Sequence, residues 1–319
     1  MMVLEKNGGA LLHRHFFNFP DFLRKGDILV LNDSKVIPAR LHGRKETGAL
    51  IEVLLLTRKG GHDPCQPMWE VLLRPGKRIR PGTCLFFNEY GQGRILDRTS
   101  EKKWLIEFKT DLPFETFLER YGTVPLPPYI SRKDNPSRHE QDKERYQTVY
   151  ARCPGSVAAP TAGLHFTPDI LNQLEGMGVT VAKVTLHVGY GTFLPVEAEN
   201  VEDHAMEEEY FEIGPETAAV ISEAERVVAV GTTSTRVLES IADEKGRITG
   251  SSGFTKLFIY PGYRFKRVNA LLTNFHLPKS SLYLLTSAFG GTDLIRPAYE
   301  EAIRERYRFY SYGDCMFIS

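Results

Sequence analysis

The sequence predicts a layered α/β domain interrupted by a small antiparallel β-barrel, and three observations carry that expectation. Apolar runs such as Ile28 to Leu31 and Val227 to Val230 read as buried strands. In the second half such runs alternate with helical stretches, the rhythm of a domain built on a largely buried sheet. From about residue 58 the texture changes to short strands separated by Gly and Pro turns, the pattern of a small barrel. The expected division is a discontinuous α/β domain over 1–57 and 147–319, with 58–146 inserted as barrel plus linker.

The elements follow in order. "DILVLNDSKVIPARLHG" opens on a buried strand, turns at Asn32-Asp33-Ser34 and continues strand-like from Val36 to Leu41; "ALIEVLLLT" is a further β-rich run ending at Thr57. In the inserted region "WEVLLRP", "CLFFNEYGQGRILDR" and "WLIEFK" are strands, with turns at Pro75-Gly76, Pro81-Gly82 and Gly91-Gln92-Gly93. "DLPFETFLERYG" reads as a helix from Pro113 stopped by Gly122. "VPLPPYI" is extended and polyproline-like, and the polar run from Ser131 to Arg145 is loop-like. Thr167, Pro168 and Asp169 then supply an N-cap, a first-turn proline and an acid at the positive helix end, so a helix is expected over 168–177. A strand over 179–188, a helix near 215–226, a strand over 227–230 and a helix near 235–244 come next. A strand over 255–260, an apolar segment near 268–273, and helices near 280–290 and 293–306 close the chain.

Composition sets bounds. Hydrophobic residues are 42% and charged residues 25% of the 319, the balance of a soluble globular protein. Lys and Arg equal Asp and Glu at 40 each, so a polyanion must be held by a local patch rather than by the net field. Cys65, Cys84, Cys153 and Cys315 form no C-x-x-C pair, which suits reduced thiols better than a disulfide frame or a zinc site. No run approaches the ~18 apolar residues of a membrane helix. The start of the chain lacks the layout of a signal peptide. A cytoplasmic protein is expected.

Six stretches carry chemistry. "VAAPTAGLHFTPDIL" places Thr161, Gly163 and His165 just before a helix start, combining a hydroxyl, a close backbone approach and an imidazole. In "RVVAVGTTSTRVLESI" a strand meets Gly231, and Thr232, Thr233 and two further hydroxyl residues lead into a helix bearing Arg236 and Glu239. Free N–H groups, hydroxyls and the helix dipole make an anion cradle there; ordinary N-capping is the plainer account. "VTLHVGYGTFLPV" sets His187 at a strand end before Gly189, Gly191 and Thr192, where sheet ligands usually bind, although a histidine so placed is more often structural. "EDHAMEEEYFEI" joins His204 and Glu209 in an acidic run whose plainer account is a solvated face. "LLTNFHLPKSSL" adds Asn274 and His276, and "FIYPGYRF" adds Tyr260 as a ring able to stack on a purine. Two basic clusters, Arg74, Lys77, Arg78 and Arg80, and Arg264, Lys266 and Arg267, interleave with aromatics in a way that suits a folded RNA. No H-e-x-x-H zinc motif or nucleophile elbow is present.

Taken together, "VAAPTAGLHFT", "VTLHVGYGTF", "VGTTSTRVLES", "FIYPGY" and "TNFHLPKSSLYLLTSAFGG" resemble the S-adenosylmethionine:tRNA ribosyltransferase-isomerase family. So do "GDILVLNDSKVIPARLHGRKETGALIEVLLL", "RYQTVYA" and "YRFYSYGDCMFI", so the likeness spans essentially the whole chain. The resemblance implies transfer of the ribosyl part of S-adenosylmethionine onto 7-aminomethyl-7-deazaguanine at the wobble position of a tRNA with a GUN anticodon. The ribose is rearranged to an epoxycyclopentane, giving epoxyqueuosine, and adenine and methionine leave. S-adenosylmethionine is then a consumed co-substrate, with no metal or prosthetic group, no membrane partner and a monomeric enzyme expected. Such chemistry needs a base near the C5′ proton beside the sulfonium and an acid to help adenine depart. His165, His187, His204, Glu209 and His276 are the acid/base candidates. Asn32, Arg40, Thr161, Gly163, Gly191, Thr192, Gly231, Thr232, Thr233, Arg236, Tyr260 and Asn274 are the substrate contacts. Arg74, Lys77, Arg78, Arg264, Lys266 and Arg267 are the RNA contacts. Because the family pattern carries a further N-terminal segment, the rival expectation is a truncated, inactive homologue that still binds tRNA.

Overall fold

The computed structural model describes residues 1–60, 63–127, 130, 138–193 and 195–319. Contacts divide the chain into two compact units, one of Met1–Lys35, Gln147–Cys153 and Ala159–Ser319, the other of Val36–Tyr146 and Pro154–Ala158.

The first unit is built on a nine-stranded sheet. Its four central strands are parallel and lie in the order Thr180–Leu186, Ile28–Asn32, Val227–Val230, Ala270–Asn274. Ile28 faces Thr180 on one side and Val227 on the other, and Val228 faces Ala270. Strands covered on both faces must be apolar throughout, and Ile28 to Leu31, Val227 to Val230 and Ala270 to Leu272 are all buried. Antiparallel strands flank this block: Glu209–Ile213 and then Ser251–Thr255 beyond one side, Cys315–Ile318 beyond the other. On one sheet face Phe19, Phe166, Leu174 and Phe317 close over Leu29, Leu31, Val228 and Leu272. Phe19 meets Phe166 and Phe317 edge to face, with centroids 5.7 and 5.3 Å apart.

From the central strand Ile28–Asn32 the chain later adds neighbours on both sides, so the strand order reverses there. Ligands of such sheets bind beyond the carboxyl ends of the strands at that reversal. Asn32, His187, Gly231 and Asn274 all stand at those ends. The helix Pro168–Gly176 begins as its sequence predicts, with the Thr167 hydroxyl accepting from the Ile170 amide at 3.3 Å. The helix Gly231–Ile241 begins at its glycine, several residues before the expected start near 235. Gly231 makes the strand-to-helix turn at φ +82°, a backbone region open to glycine.

The second unit holds a closed barrel of six strands: Arg40–Lys45, Leu50–Gly60, Met68–Arg74, Cys84–Phe87, Gly91–Arg98 and Lys103–Thr110. Period-2 patterning fills it; Trp104, Ile106 and Phe108 point inward and alternate with more exposed residues. The helix Phe114–Tyr121 adds Phe114, whose ring lies 4.6 Å from that of Phe108.

Three expectations shift. This unit begins at Val36 rather than at residue 58, because Arg40–Lys45 and Leu50–Gly60 alternate as barrel strands. The run Leu54-Leu55-Leu56 imitates a buried sheet strand because the register slips between Leu55 and Thr57. Within the polar run 131–145, Arg138–Arg145 is a helix rather than a loop, made of residues that favour helix and free of Gly or Pro. Residues 131–137 of that run, and Pro128 and Tyr129 of "VPLPPYI", lie outside the described residues. Finally, the strand expected at 255–260 is Ser251–Thr255, which frees Leu257 to Ile259 for the cleft below.

Candidate active site

A cleft opens in the α/β unit against the helix Gly231–Ile241. Met206, Leu257, Phe258, Ile259, Leu282 and Leu285 form its apolar wall; Thr192, Thr232, Thr233, Arg236 and Ser281 supply polar groups. Arg236 is fixed on two sides. Its Nε donates to the Leu257 carbonyl at 2.9 Å, and its Nη1 donates to Glu209 Oε2. Its Nη2 is buried without a hydrogen-bond partner among the described residues, and so is the Thr233 hydroxyl. Buried donors left in that state signal a ligand group or an ordered water. The sequence placed an anion cradle here through loop amides. The helix starting at Gly231 leaves its first-turn amides without intrahelical acceptors, so they join the guanidinium and the hydroxyls in that role.

Glu209 is committed elsewhere. Its Oε1 accepts from the Gly189 amide at 2.8 Å and the Thr192 hydroxyl at 3.2 Å, while Oε2 takes Arg236. The side chains of Glu209 and Arg236 are 4% and 6% exposed. This geometry makes Glu209 the counter-ion that aims Arg236 and pins the Gly189–Thr192 turn. Gly191 permits the turn to pass Glu207, since a Cβ there would lie 2.9 Å from the Glu207 carboxylate.

Beside the cleft, Thr161–His165 forms a single 3-10 turn. It packs on the helix start, where a side chain added at Gly231 would lie 3.6 Å from Ala162 Cβ. Gly163 is required by a close approach, because a Cβ would run into the Tyr150 hydroxyl and lie 2.8 Å from Thr148 Cγ2. His165 Nε2 lies 3.0 Å from Asn274 Oδ1, and its ring sits 5.2 Å from Phe16. Burial lowers its pKa, with the Asn274 hydrogen bond acting in the opposite sense. The ring is therefore neutral near pH 7 and able to accept a proton.

The other histidines sit in different surroundings. His187 stacks on Tyr210 with centroids 5.5 Å apart, and burial lowers its pKa against the nearby charges of Asp33 and Glu212. Its Nδ1 is buried and unpartnered among the described residues. His276 engages the Thr273 hydroxyl at 2.8 Å, and burial pushes it down to about 4. His204 packs on Phe258, which lines the cleft, and Tyr260 packs on that ring as well.

Several predicted contacts sit apart. Asn32 is wholly buried and clamps the neighbouring strand, donating to the Leu186 carbonyl and accepting from the Leu186 amide at 3.0 Å each. Arg40 belongs to the barrel, where it lies near Glu52 and the Leu126 carbonyl. Arg74, Lys77 and Arg78 are exposed on one barrel turn, and Arg264 is exposed on the α/β unit. Arg267 instead donates to the Ala224 and Ile221 carbonyls at the end of the helix Pro215–Glu223, and Lys266 pairs with Glu244 at 2.8 Å. Arg267 thus caps that helix end.

Sequence reasoning missed Asp33, which it read only as a turn residue. Asp33 is fully buried at the central strand's end, accepting from Thr185 Oγ1 at 2.7 Å and Arg152 Nη2 at 3.1 Å. The signal available was an acid placed one residue beyond a four-residue apolar run. Ser281 and Leu285 were missed because they are contributed by a distant helix.

Residues 1–318 match the model of a family described as queuosine biosynthesis protein. A protein of Syntrophus aciditrophicus named S-adenosylmethionine:tRNA ribosyltransferase-isomerase is 59% identical, over 100% of this chain and 92% of its own length. A protein of the same name from Moorella thermoacetica is 51% identical with the same coverage. Among solved structures, an S-adenosylmethionine tRNA ribosyltransferase from Thermotoga maritima is 35% identical, covers 100% of this chain and 91% of its own, and has a TM-score of 0.51. With Asn32, His187, Gly231 and Asn274 falling at the carboxyl ends of the four parallel strands and the match running the length of the chain, the chain belongs to the queuosine biosynthesis protein family.

Proposed function

We propose that this protein transfers and isomerises the ribosyl moiety of S-adenosylmethionine onto 7-aminomethyl-7-deazaguanine at position 34 of a GUN-anticodon tRNA, releasing adenine and methionine. The names borne by its relatives support the reaction class. The observation that carries the site is the pair of unpartnered donors, Arg236 Nη2 and Thr233 Oγ1, at the polar end of an otherwise apolar cleft. A methionine moiety has that same character, a carboxylate at one end and an apolar thioether chain. Its carboxylate meets the guanidinium, and its chain lies along Met206, Leu282 and Leu285. His165, neutral and adjacent, takes the C5′ proton acidified by the sulfonium: the C–H bond breaks, its electron pair stays on carbon, and the proton passes to the imidazole. His204 and His187 remain the candidates for assisting adenine departure. S-adenosylmethionine is consumed in this scheme, with no metal or prosthetic group.

Calorimetric titration with S-adenosylmethionine tests the placement. Arg236→Met combined with Glu209→Gln, so that no buried charge is stranded, is expected to weaken binding about 10- to 100-fold. Unchanged affinity in the folded double variant would remove the carboxylate from this cleft.

A further inference from the structure

The amide of Asn274 is hydrogen-bonded on both sides. Its Nδ2 donates to the Tyr310 carbonyl at 3.0 Å and the Ser311 carbonyl at 3.2 Å, and its Oδ1 lies 3.0 Å from His165 Nε2. An amide can in principle be turned over, exchanging nitrogen and oxygen. Here the exchange would set Oδ1 against two carbonyl oxygens that have no hydrogen to give. The two carbonyls therefore fix Oδ1 as the atom facing His165. An amide oxygen only accepts, so Nε2 must carry the ring hydrogen. In the neutral ring the lone pair then belongs to Nδ1, which no described residue engages.

We propose that Asn274 is a positioning residue: it locks His165 as the Nε2–H tautomer, so that Nδ1 is the atom that receives the proton. This rests on the reading of His165 as the base. It reassigns Asn274 from substrate contact to support of the base. The strand Ala270–Asn274 is paired on both sides and Asn274 is 2% exposed, so the lock is carried by the rigid part of the sheet. When Nδ1 takes up a proton the ring becomes a cation, and the Asn274 oxygen still accepts from Nε2–H, so no group need move during the transfer. The arrangement has the logic of an acid that orients a catalytic imidazole, with a neutral amide in the acid's place.

The test has two arms. Nitrogen-15 correlation spectra of the intact wild-type protein, with His165 assigned by its loss in His165→Ala, report the tautomer directly. The expected result is amine-type Nε2 and imine-type Nδ1; the opposite tautomer, or a rapidly exchanging mixture, would overturn the proposal. The second arm compares Asn274→Ala and Asn274→Asp in turnover with S-adenosylmethionine and acceptor tRNA. Both lose the donors to Tyr310 and Ser311, but only the aspartate keeps an oxygen for Nε2–H. The alanine variant is expected to lose at least about tenfold in kcat with KM within a few-fold, and the aspartate variant to recover part of that loss. An aspartate variant no better than alanine in folded protein would make Asn274 a structural tie to the Tyr310–Ser311 turn, and would sink the proposal. Full turnover in His165→Ala would instead remove the base itself, whatever tautomer the wild-type ring holds.

Discussion

His165 and Glu209 differ in what their partners leave free. Glu209 has both oxygens occupied, while His165 keeps one nitrogen disengaged from the described residues. His165→Ala is therefore expected to lower turnover by at least about a hundredfold with its melting temperature close to wild type, as read from adenine release and thermal unfolding. The Glu209–Arg236 pair makes a different prediction. Glu209→Gln strands a buried guanidinium, and a loss of about 3–5 kcal/mol in unfolding free energy is expected from denaturant titration. His276 bears on pH. Its folded pKa is depressed to about 4 from 6.5, so on acidification the unfolded chain binds the proton first. Its contribution is intact above about pH 6.5 and is lost as pH falls toward 4. The drop in melting temperature between pH 7 and pH 5 should be smaller in His276→Gln than in wild type; an equal drop would show that His276 is not the group responsible. At this scale the sequence displayed the residue types and concealed their pairings. Glu209 stands in an acidic run that reads as a solvated face, and its partner Arg236 lies 27 residues away.

The strand–helix unit around Gly231 was the most legible element, because a continuous apolar run, a glycine and a hydroxyl cluster each have a distinct physical signature. Its helix start was misplaced because hydroxyl residues signal caps, whereas here they lie inside the helix and the Thr235 hydroxyl back-bonds to the Gly231 carbonyl at 3.1 Å. Gly231→Ala forces a side chain into the left-handed region and is expected to cost about 1–2 kcal/mol, measured by chemical denaturation. A neutral effect would mean that the turn relaxes. One turn of this helix further on, Glu239 accepts from the amides of Lys266, Arg267 and Val268 at 2.8, 3.0 and 2.9 Å. That buried carboxylate anchors the backbone of 266–268 against the helix. Charge and aromatic content were visible in the sequence, but the inward turn of Arg267 depends on a helix end more than 40 residues earlier.

For the whole molecule, the sequence disclosed two kinds of domain because continuous apolar strands and alternating strands have different periods. It misjudged the first boundary because a slipped register made one barrel strand look continuous. The exposed barrel residues Lys77 and Arg78 are expected to meet tRNA phosphates. Lys77→Glu with Arg78→Glu should weaken tRNA binding and flatten its salt dependence by about one unit of slope per lost contact, leaving S-adenosylmethionine affinity unchanged. Equal binding at all salt concentrations would place the RNA elsewhere. The central claim concerns the fate of S-adenosylmethionine, and one incubation addresses it: the 319-residue chain with S-adenosylmethionine and a tRNA bearing 7-aminomethyl-7-deazaguanine, followed by chromatography of the small molecules and mass analysis of the modified nucleoside. Adenine release with a nucleoside of epoxyqueuosine mass is the predicted result. Release of S-adenosylhomocysteine, or tRNA binding with no turnover at all, would contradict it.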